Sequence, residues 1–190
     1  MKIVGFIGSR RNNGNTATLV DAMLEGAGNE IDTARYILNE SQFGGCQGCY
    51  TCLEEDRCSI DDQMQDFYEE IKQSDAVIIG SPIYFGHISG QTKLFMDRLF
   101  RFTHNPRGRI PNAPKPTIMV LTHGNINDSD YDWHAQNIQQ YFTFAGFSVI
   151  QIYSVGGCSV SVKPTILTRP QKIETAKALG FKLSEFLTKD

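Results

Sequence analysis

The stretch KIVGFIGSRRNNGNT at residues 2–16 places an apolar run, a polar loop with glycines and the start of a helical pattern in direct succession. Residues 3–7 are apolar on both faces, as a strand buried between two layers of helices requires. Residues 15–27 then carry apolar side chains at the spacing of one helix face. The stretch therefore predicts a strand, a tight connection and a helix, which is the basic unit of an alternating α/β structure.

The same alternation continues along the rest of the sequence. Further strands are predicted at 34–38, 76–80, 117–122 and 148–154, and further helices at 62–73, 89–102, 129–145 and 170–187. Two of these strands are, like the first, apolar on both faces. Five strand–helix units without an internal repeat or a linker predict one doubly wound parallel α/β domain over residues 1–190.

The composition narrows the class of partner. The 190 residues carry a net charge of −3 and 41% apolar side chains, a balance that favours neither nucleic acid nor an anionic membrane surface. No apolar run approaches the ~20 residues that span a bilayer. The first residues lead straight into a strand instead of a signal peptide. We therefore expect a cytoplasmic protein with no nucleic-acid and no membrane partner.

The loop at residues 8–16 has the chemistry of a phosphate site. Its hydroxyls, the guanidinium groups of Arg10 and Arg11, and the backbone N–H groups at the following helix start all attract anions. Asn15 follows Gly14 where a Walker A loop has lysine, and the dinucleotide pattern Gly-x-Gly-x-x-Gly is missing. A terminal monophosphate fits best. The alternative is a helix start that is simply capped by serine or asparagine.

The loop at residues 81–90 follows the third strand and suits a flat ring. Proline and glycine make a rigid turn, and aromatic side chains offer planar contact beside backbone hydrogen-bonding groups. An isoalloxazine ring uses both kinds of contact. The candidate ring contacts are Pro82, Ile83, Tyr84, Phe85 and Gly86. The alternative is a turn whose aromatic side chains pack in the core.

Both loops resemble signatures of the NADPH-dependent FMN reductase family, which belongs to the flavodoxin-like superfamily and includes the iron–sulfur flavoproteins. The first loop matches the family's FMN-phosphate motif at Ser9, Arg11, Asn13, Asn15 and Thr16. The second loop opens a signature that is completed by Lys93, Phe95, Asp97 and Arg98. Arg10 departs from the family pattern, in which proline is frequent at that position.

The resemblance implies a flavodoxin-like fold, with a five-stranded parallel sheet of order 2-1-3-4-5 in three layers. It also implies non-covalently held FMN and NAD(P)H as co-substrate. The loop after the fourth strand should border the ring through Thr122, His123, Gly124 and Asn125. Because the flavin itself performs the hydride chemistry, no catalytic side chain is assigned.

Four of the five cysteines form a compact C-x2-C-x2-C-x5-C run among glycines: Cys46, Cys49, Cys52 and Cys58. In a reducing compartment such a run indicates metal or redox chemistry more often than disulfides. Ferredoxin-like spacing of the first three suits a [4Fe–4S] cluster, and the run resembles the cluster motif of the iron–sulfur flavoproteins. Two alternatives stay open. The thiols are idle or redox-active without a cluster, as in cluster-free relatives, or they bind zinc, whose usual pattern is two separated C-x2-C pairs.

The functional hypothesis is an FMN-dependent oxidoreductase that moves electrons from NAD(P)H to a small-molecule or protein acceptor. The alternative is an electron-transfer protein that carries FMN and [4Fe–4S] between protein partners. A receiver domain is excluded, because Ser9 and Ser81 stand where receivers need acidic residues. Residues 89–102 are apolar on more than one helix face, and the family typically dimerises, so we expect a homodimer or a dimer of dimers.

Overall fold

The computed structural model describes residues 1–104, 108–159 and 163–188. The strands are β1 (Lys2–Ile7), β2 (Asp32–Ile37), β3 (Ala76–Tyr84), β4 (His87–Ile88), β5 (Lys115–Thr122) and β6 (Phe147–Val155). The helices are α1 (Asn15–Gly26), α2 (Thr51–Glu54), α3 (Met64–Gln73), α4 (Gly90–Arg98), α5 (Asp132–Phe144) and α6 (Pro170–Thr188). Short 3-10 turns lie at Leu38–Glu40, Leu99–Phe102, Asp128–Tyr131 and Thr165–Thr168.

Five strands form a parallel sheet in the order β2-β1-β3-β5-β6. Numbered along the chain as parallel strands only, this is the predicted order 2-1-3-4-5, so the flavodoxin-like topology is confirmed. The sixth strand, β4, was not predicted. It pairs antiparallel with the end of β3, which runs four residues beyond the predicted limit at residue 80.

The sheet has one apolar core on each face. The aromatic core packs α3, α4 and α5 against the sheet and includes Phe6, Phe67, Phe95, Phe142 and Phe147. The aliphatic core packs α1 and α6 against the other face. The central strands β1, β3 and β5 are almost fully buried, whereas the edge strands β2 and β6 are partly exposed. Among the described helices, none has the length and apolarity to cross a bilayer.

Two glycines let α1 and α6 cross with their backbones in contact. A Cβ atom added to Gly180 would lie 1.8 Å from the carbonyl oxygen of Met23, and one added to Gly26 would lie 2.1 Å from that of Lys177. Because the colliding atoms belong to helix backbones, no side-chain rotation relieves the overlap. The contact fixes α6 on α1, whose N-terminal end forms part of the site described below.

Replacing Gly180 tests the close contact between α1 and α6. We expect Gly180→Ala to lower the free energy of unfolding by about 1–3 kcal/mol, the usual cost of overpacking, measured by urea denaturation. The matched control is Gly90→Ala at the start of α4, where an added Cβ meets nothing within 4 Å. That substitution should raise stability by up to about 1 kcal/mol, since alanine loses less backbone entropy. Equal stability of the two variants would contradict the assigned crossing.

Candidate functional site

The chain leaves β1 at a buried junction beside the middle of β3. The Gly8 N–H donates to the carbonyl of Gly80 at 2.8 Å, and the Ser89 hydroxyl donates to the carbonyl of Gly8 at 2.7 Å. The hydroxyls of Ser81, Ser89 and Thr92 form a buried hydrogen-bonded chain behind it. A Cβ on Gly8 would lie 1.8 Å from the Thr92 hydroxyl oxygen. The junction thus holds the loops that follow the two strands side by side.

The first turn of α1 presents backbone N–H groups to the carboxyl edge of the sheet. Gly14 is its N-cap residue, and within the described residues no side chain caps this helix start. The serine or asparagine cap considered above is therefore not formed. The Asn15 side chain instead accepts from the N–H of Ile166 at 2.9 Å. The helix start fits an anion, because these N–H groups and the helix dipole both favour negative charge.

One cavity gathers most of the residues predicted to bind the cofactor. Those that line it are Ser9, Arg11, Asn15, Thr16, Pro82, Ile83, Tyr84, Thr122, His123 and Gly124. The hydroxyls of Thr16 and Thr122 lie 2.7 Å apart, so the start of α1 is joined to the end of β5. Three further lining residues were not predicted: Gly14, Cys158 and Ser159. Cys158 is half-buried, and burial raises the pKa of its thiol.

Four predicted cofactor residues do not line this cavity. Asn13 borders a separate groove beside β2. Phe85 and Gly86 form the tip of the β3–β4 hairpin, and the Asn125 carbonyl accepts from the N–H of Gly157 at 2.5 Å. Their predicted roles remain predictions.

The hairpin tip is a strained position. Phe85 has a φ of 48°, Gly86 has a φ of 79°, and the Phe85 side chain is fully exposed. Positive φ at both central residues is the pattern of a tight two-residue hairpin, but it is unfavourable for a bulky side chain. The Phe85 side chain is therefore exposed to water, and its backbone conformation is unfavourable. It lies next to Tyr84, which lines the cavity.

His123 lines the cavity and has an unsatisfied polar atom. Its side chain is almost fully buried, and its Nε2 lies 3.4 Å from the Asp128 carbonyl oxygen and 3.2 Å from the Ser154 hydroxyl. A carbonyl only accepts, so this contact favours the proton on Nε2 and leaves Nδ1 as an acceptor. Among the described residues, the buried Nδ1 has no hydrogen-bond partner. Since buried polar atoms are nearly always paired, a bound group with a donor fits here.

The four clustered cysteines line a second cavity, of about 340 Å³. Cys46 and Cys49 are exposed, whereas Cys52 and Cys58 are partly buried. Hydrogen bonds with Ser59 and Thr51 lower the pKa of the Cys49 thiol to about 7. Burial, followed by the neighbouring thiols, raises the pKa of Cys52. Four sulfur atoms therefore surround one cavity. One of them, the Cys49 thiol, has a pKa of about 7.

Arg98 fastens this cysteine loop to α4. Its buried guanidinium group makes a two-pronged ion pair with Asp62 at 2.7 and 3.0 Å. It also donates to the Gly44 carbonyl at 3.0 Å and to the Cys58 sulfur at 3.4 Å. The sequence marked Arg98 only as part of a family signature, and its link to Asp62 was missed because the two residues are 36 positions apart.

The donor set of this cavity fits a four-iron cluster. Such a cluster is held by four cysteine thiolates, and Cys46, Cys49, Cys52 and Cys58 line one cavity. In the described part of the chain, no group of three or more His, Cys, Asp or Glu side chains is arranged around the position of a single metal ion.

The meeting of a helix N-terminus and an aromatic loop at the carboxyl edge of a doubly wound parallel sheet is typical of flavodoxin-like proteins. Solved structures agree with this class. A flavodoxin from the domain Archaea matches with a TM-score of 0.60 and 15% identity over 99% of both chains. An NAD(P)H:quinone oxidoreductase from Methanothermobacter marburgensis matches with a TM-score of 0.72 and 16% identity over 96% of both chains. At these identities the likeness shows the fold alone.

Sequence comparison then identifies the family. The profile of the NADPH-dependent FMN reductase family matches residues 1–157. An iron-sulfur flavoprotein of Methanocaldococcus jannaschii is 31% identical over an alignment of 193 positions that covers 97% of this chain and 96% of that protein. The chain belongs to the NADPH-dependent FMN reductase family. It is an NAD(P)H-dependent flavin oxidoreductase with FMN as cofactor, which confirms the expectation from the two loops.

The Asp62–Arg98 pair makes the fold sensitive to acid. Burial raises the pKa of Asp62, but hydrogen bonds from Arg98 and from the N–H groups of Gly44 and Met64 outweigh it and leave the pKa below its ordinary value. A carboxylate with a depressed folded-state pKa stabilises the fold above the unfolded pKa of about 3.9. That contribution is lost as the pH falls through the folded-state pKa.

We therefore expect Asp62→Asn to destabilise the protein at pH 7 by about 3–5 kcal/mol, because Arg98 is left buried without its carboxylate. As the pH is lowered below 5, the variant should also lose less stability than the parent. Urea unfolding at several pH values measures this loss. Asp97→Asn is the control, because the Lys93–Asp97 pair is about two-fifths exposed on both sides and is worth roughly 0–1 kcal/mol. Parallel pH profiles for Asp62→Asn and the parent would refute the assignment.

Proposed function

We propose that the cavity at the strand ends holds FMN, with its phosphate at the start of α1 and its ring against the β3 loop. The observation that carries this is the shared cavity, in which the uncapped helix start and the Pro82–Tyr84 backbone face the same space. Ser9 and Arg11 add a hydroxyl and a guanidinium group to the phosphate end. When bound, FMN supplies the ring that takes hydride from NAD(P)H.

The chain's own side chains have binding and shaping roles in this proposal. Pro82, Ile83 and Tyr84 give the ring a rigid wall. His123 offers its buried Nδ1 to a donor on the cofactor and keeps its other nitrogen tied to Asp128 and Ser154. Phe85, exposed at the hairpin tip, stays in the proposal as a contact from outside the cavity. No side-chain acid or base is needed for hydride transfer, so none is assigned.

We propose a [4Fe–4S] cluster on Cys46, Cys49, Cys52 and Cys58. The shared cavity of the four thiols supports it, and so does the name of the Methanocaldococcus relative. A cluster exchanges single electrons, whereas the flavin accepts hydride as a pair, so the two together allow delivery of electrons one at a time. The acceptor in this proposal is a small molecule or a protein. The cytoplasm, where thiols stay reduced, is the compartment that suits the five free cysteines.

A second candidate function follows from the same cavity. In this candidate function the cysteine loop holds a cluster, the chain carries electrons between protein partners, and oxidation of NAD(P)H is a slow, minor activity. Anaerobic mixing with NADH or NADPH separates the two functions. Rapid bleaching of the flavin absorbance by either nucleotide near neutral pH would support the reductase function. Slow bleaching with both nucleotides, in protein that a chemical reductant bleaches at once, would support the carrier.

We also propose that the whole chain forms one domain. Packing of α6 across α1 supports this, because it joins the C-terminal helix to the first helix.

We further propose that the chain pairs with a second copy. Phe95, Leu99 and Phe102 fill the core, but Leu94 remains 39% exposed on the same helical segment, which supports a subunit contact there. Light scattering at micromolar concentration should give twice the 21.3 kDa mass or a multiple of it. The mass of one chain would exclude the dimer.

The phosphate assignment is tested by comparing FMN with riboflavin. We expect Arg11→Ala to weaken FMN binding about 10–100-fold, since hydrogen bonds to charged groups contribute about 1.5–3 kcal/mol. Riboflavin lacks the phosphate, so its affinity should stay within about twofold of the parent's on the same energy scale. Arg109→Ala, which removes an exposed arginine that does not line the cavity, is the control. An equal loss of affinity for both flavins in Arg11→Ala would show that Arg11 does not bind the phosphate.

A further inference from the structure

Two buried arginines form one wall of the cysteine cavity. Arg98 and Arg101 line it, and their exposed fractions are 2% and 4%. Both come from the segment where α4 passes into the following 3-10 turn. Arginine is rarely buried to this degree, and here each guanidinium group has a carboxylate partner, Asp62 for Arg98 and Asp56 for Arg101. The cavity therefore combines four sulfur donors with two buried guanidinium groups.

Arg101 lines this space and has an unused hydrogen-bond donor. One of its terminal nitrogens donates to the backbone and side-chain oxygens of Asp56, and the other lies 3.5 Å from the Gly108 carbonyl. Its guanidinium group also lies over the ring of Tyr68, 5.0 Å from the ring centre. Its buried Nε has no hydrogen-bond partner among the described residues. A donor left unpaired in this way costs about 1–3 kcal/mol unless a ligand accepts from it.

Arg98 already contacts a sulfur atom. Its Nη2 donates to the Cys58 sulfur at 3.4 Å, while Asp62 and Gly44 fix the rest of the group. The Asp62 carboxylate is its charged partner. The buried ion pair therefore holds an N–H donor of Arg98 against the Cys58 sulfur.

We propose that Arg98 and Arg101 are positioning residues that hold the thiolate-bound cluster and raise its reduction potential by donating hydrogen bonds to its sulfur atoms. This inference rests on the proposed [4Fe–4S] cluster. Reduction of the cluster by one electron adds one negative charge and breaks no bond, and the electron comes from the flavin that NAD(P)H has reduced. Nearby cations and N–H donors stabilise the more negative state, and hydrogen bonds to sulfur are among the known controls of cluster potential.

The test is a redox titration of the parent and of Arg101→Met, each reconstituted anaerobically as holoprotein. Electron paramagnetic resonance monitors the reduction of the cluster. We expect at least a tenfold fall in the equilibrium constant for one-electron reduction, which is about 59 mV for such a couple. Arg101→Lys, which keeps the charge but loses the planar donor group, should recover part of the shift. Arg57→Met is the matched control, because Arg57 directly precedes Cys58 but its side chain is 76% exposed.

Arg98 is tested together with its partner so that no charge is left buried alone. The double variant Arg98→Met/Asp62→Asn should bind less iron and sulfide than the parent and show a lower potential for the remaining cluster. Its FMN content reports whether the fold is intact, since the FMN cavity does not include either residue. If this double variant fails to fold, Arg101→Met alone decides the proposal.

The outcomes separate this inference from the function on which it rests. A parent protein without iron and sulfide, or with zinc in the cysteine loop, would overturn the cluster and the role of both arginines, but FMN reduction by NAD(P)H would stand. A parent with the cluster and an unchanged potential in Arg101→Met would overturn this inference alone. A shift of equal size in Arg57→Met would likewise overturn it, because any nearby positive charge would then suffice.

Discussion

The site depends on the close approach of β1 and β3 at Gly8 and Gly80. The backbones hydrogen-bond directly there, and the space where a Cβ of Gly8 would lie is filled by the Thr92 hydroxyl. Because the next residues of each strand leave this junction in fixed directions, the start of α1 and the β3 hairpin come to face one cavity. A side chain at Gly8 would push α4 away and separate the two halves of the proposed FMN site.

The same helix links both cavities. The N-terminal end of α4 supplies Ser89 and Thr92 to the junction beside the proposed FMN site. Its C-terminal end supplies Arg98, and the following turn supplies Arg101, to the cysteine cavity. The proposed flavin and cluster sites therefore share a rigid support, in which buried hydrogen bonds fix one end and a buried ion pair fixes the other. Rigid placement of this kind suits electron transfer, because it maintains the relative geometry of the two centres.

Local sequence patterns predicted the alternating strands and helices and the chemistry of the two loops, because buried parallel strands are apolar on both faces and their connecting loops carry recognisable chemistry. The order of the strands followed only from the resemblance to the FMN reductase family. Features that depend on distant partners were not predictable. Asp62 and Arg98 are paired only by the fold, and the β3–β4 hairpin requires a positive φ at Phe85, which few would assign to phenylalanine. Cys158 joins the cavity only because β6 ends beside β5.

The most direct measurement is a titration of cofactor-free protein with FMN, monitored by the fluorescence of the flavin. If two neighbouring strand ends enclose the phosphate and the ring, the fluorescence should be quenched up to one FMN per chain, with a sharp end point at micromolar protein. Unchanged fluorescence at excess FMN, in protein whose circular dichroism shows a folded α/β structure, would contradict the account.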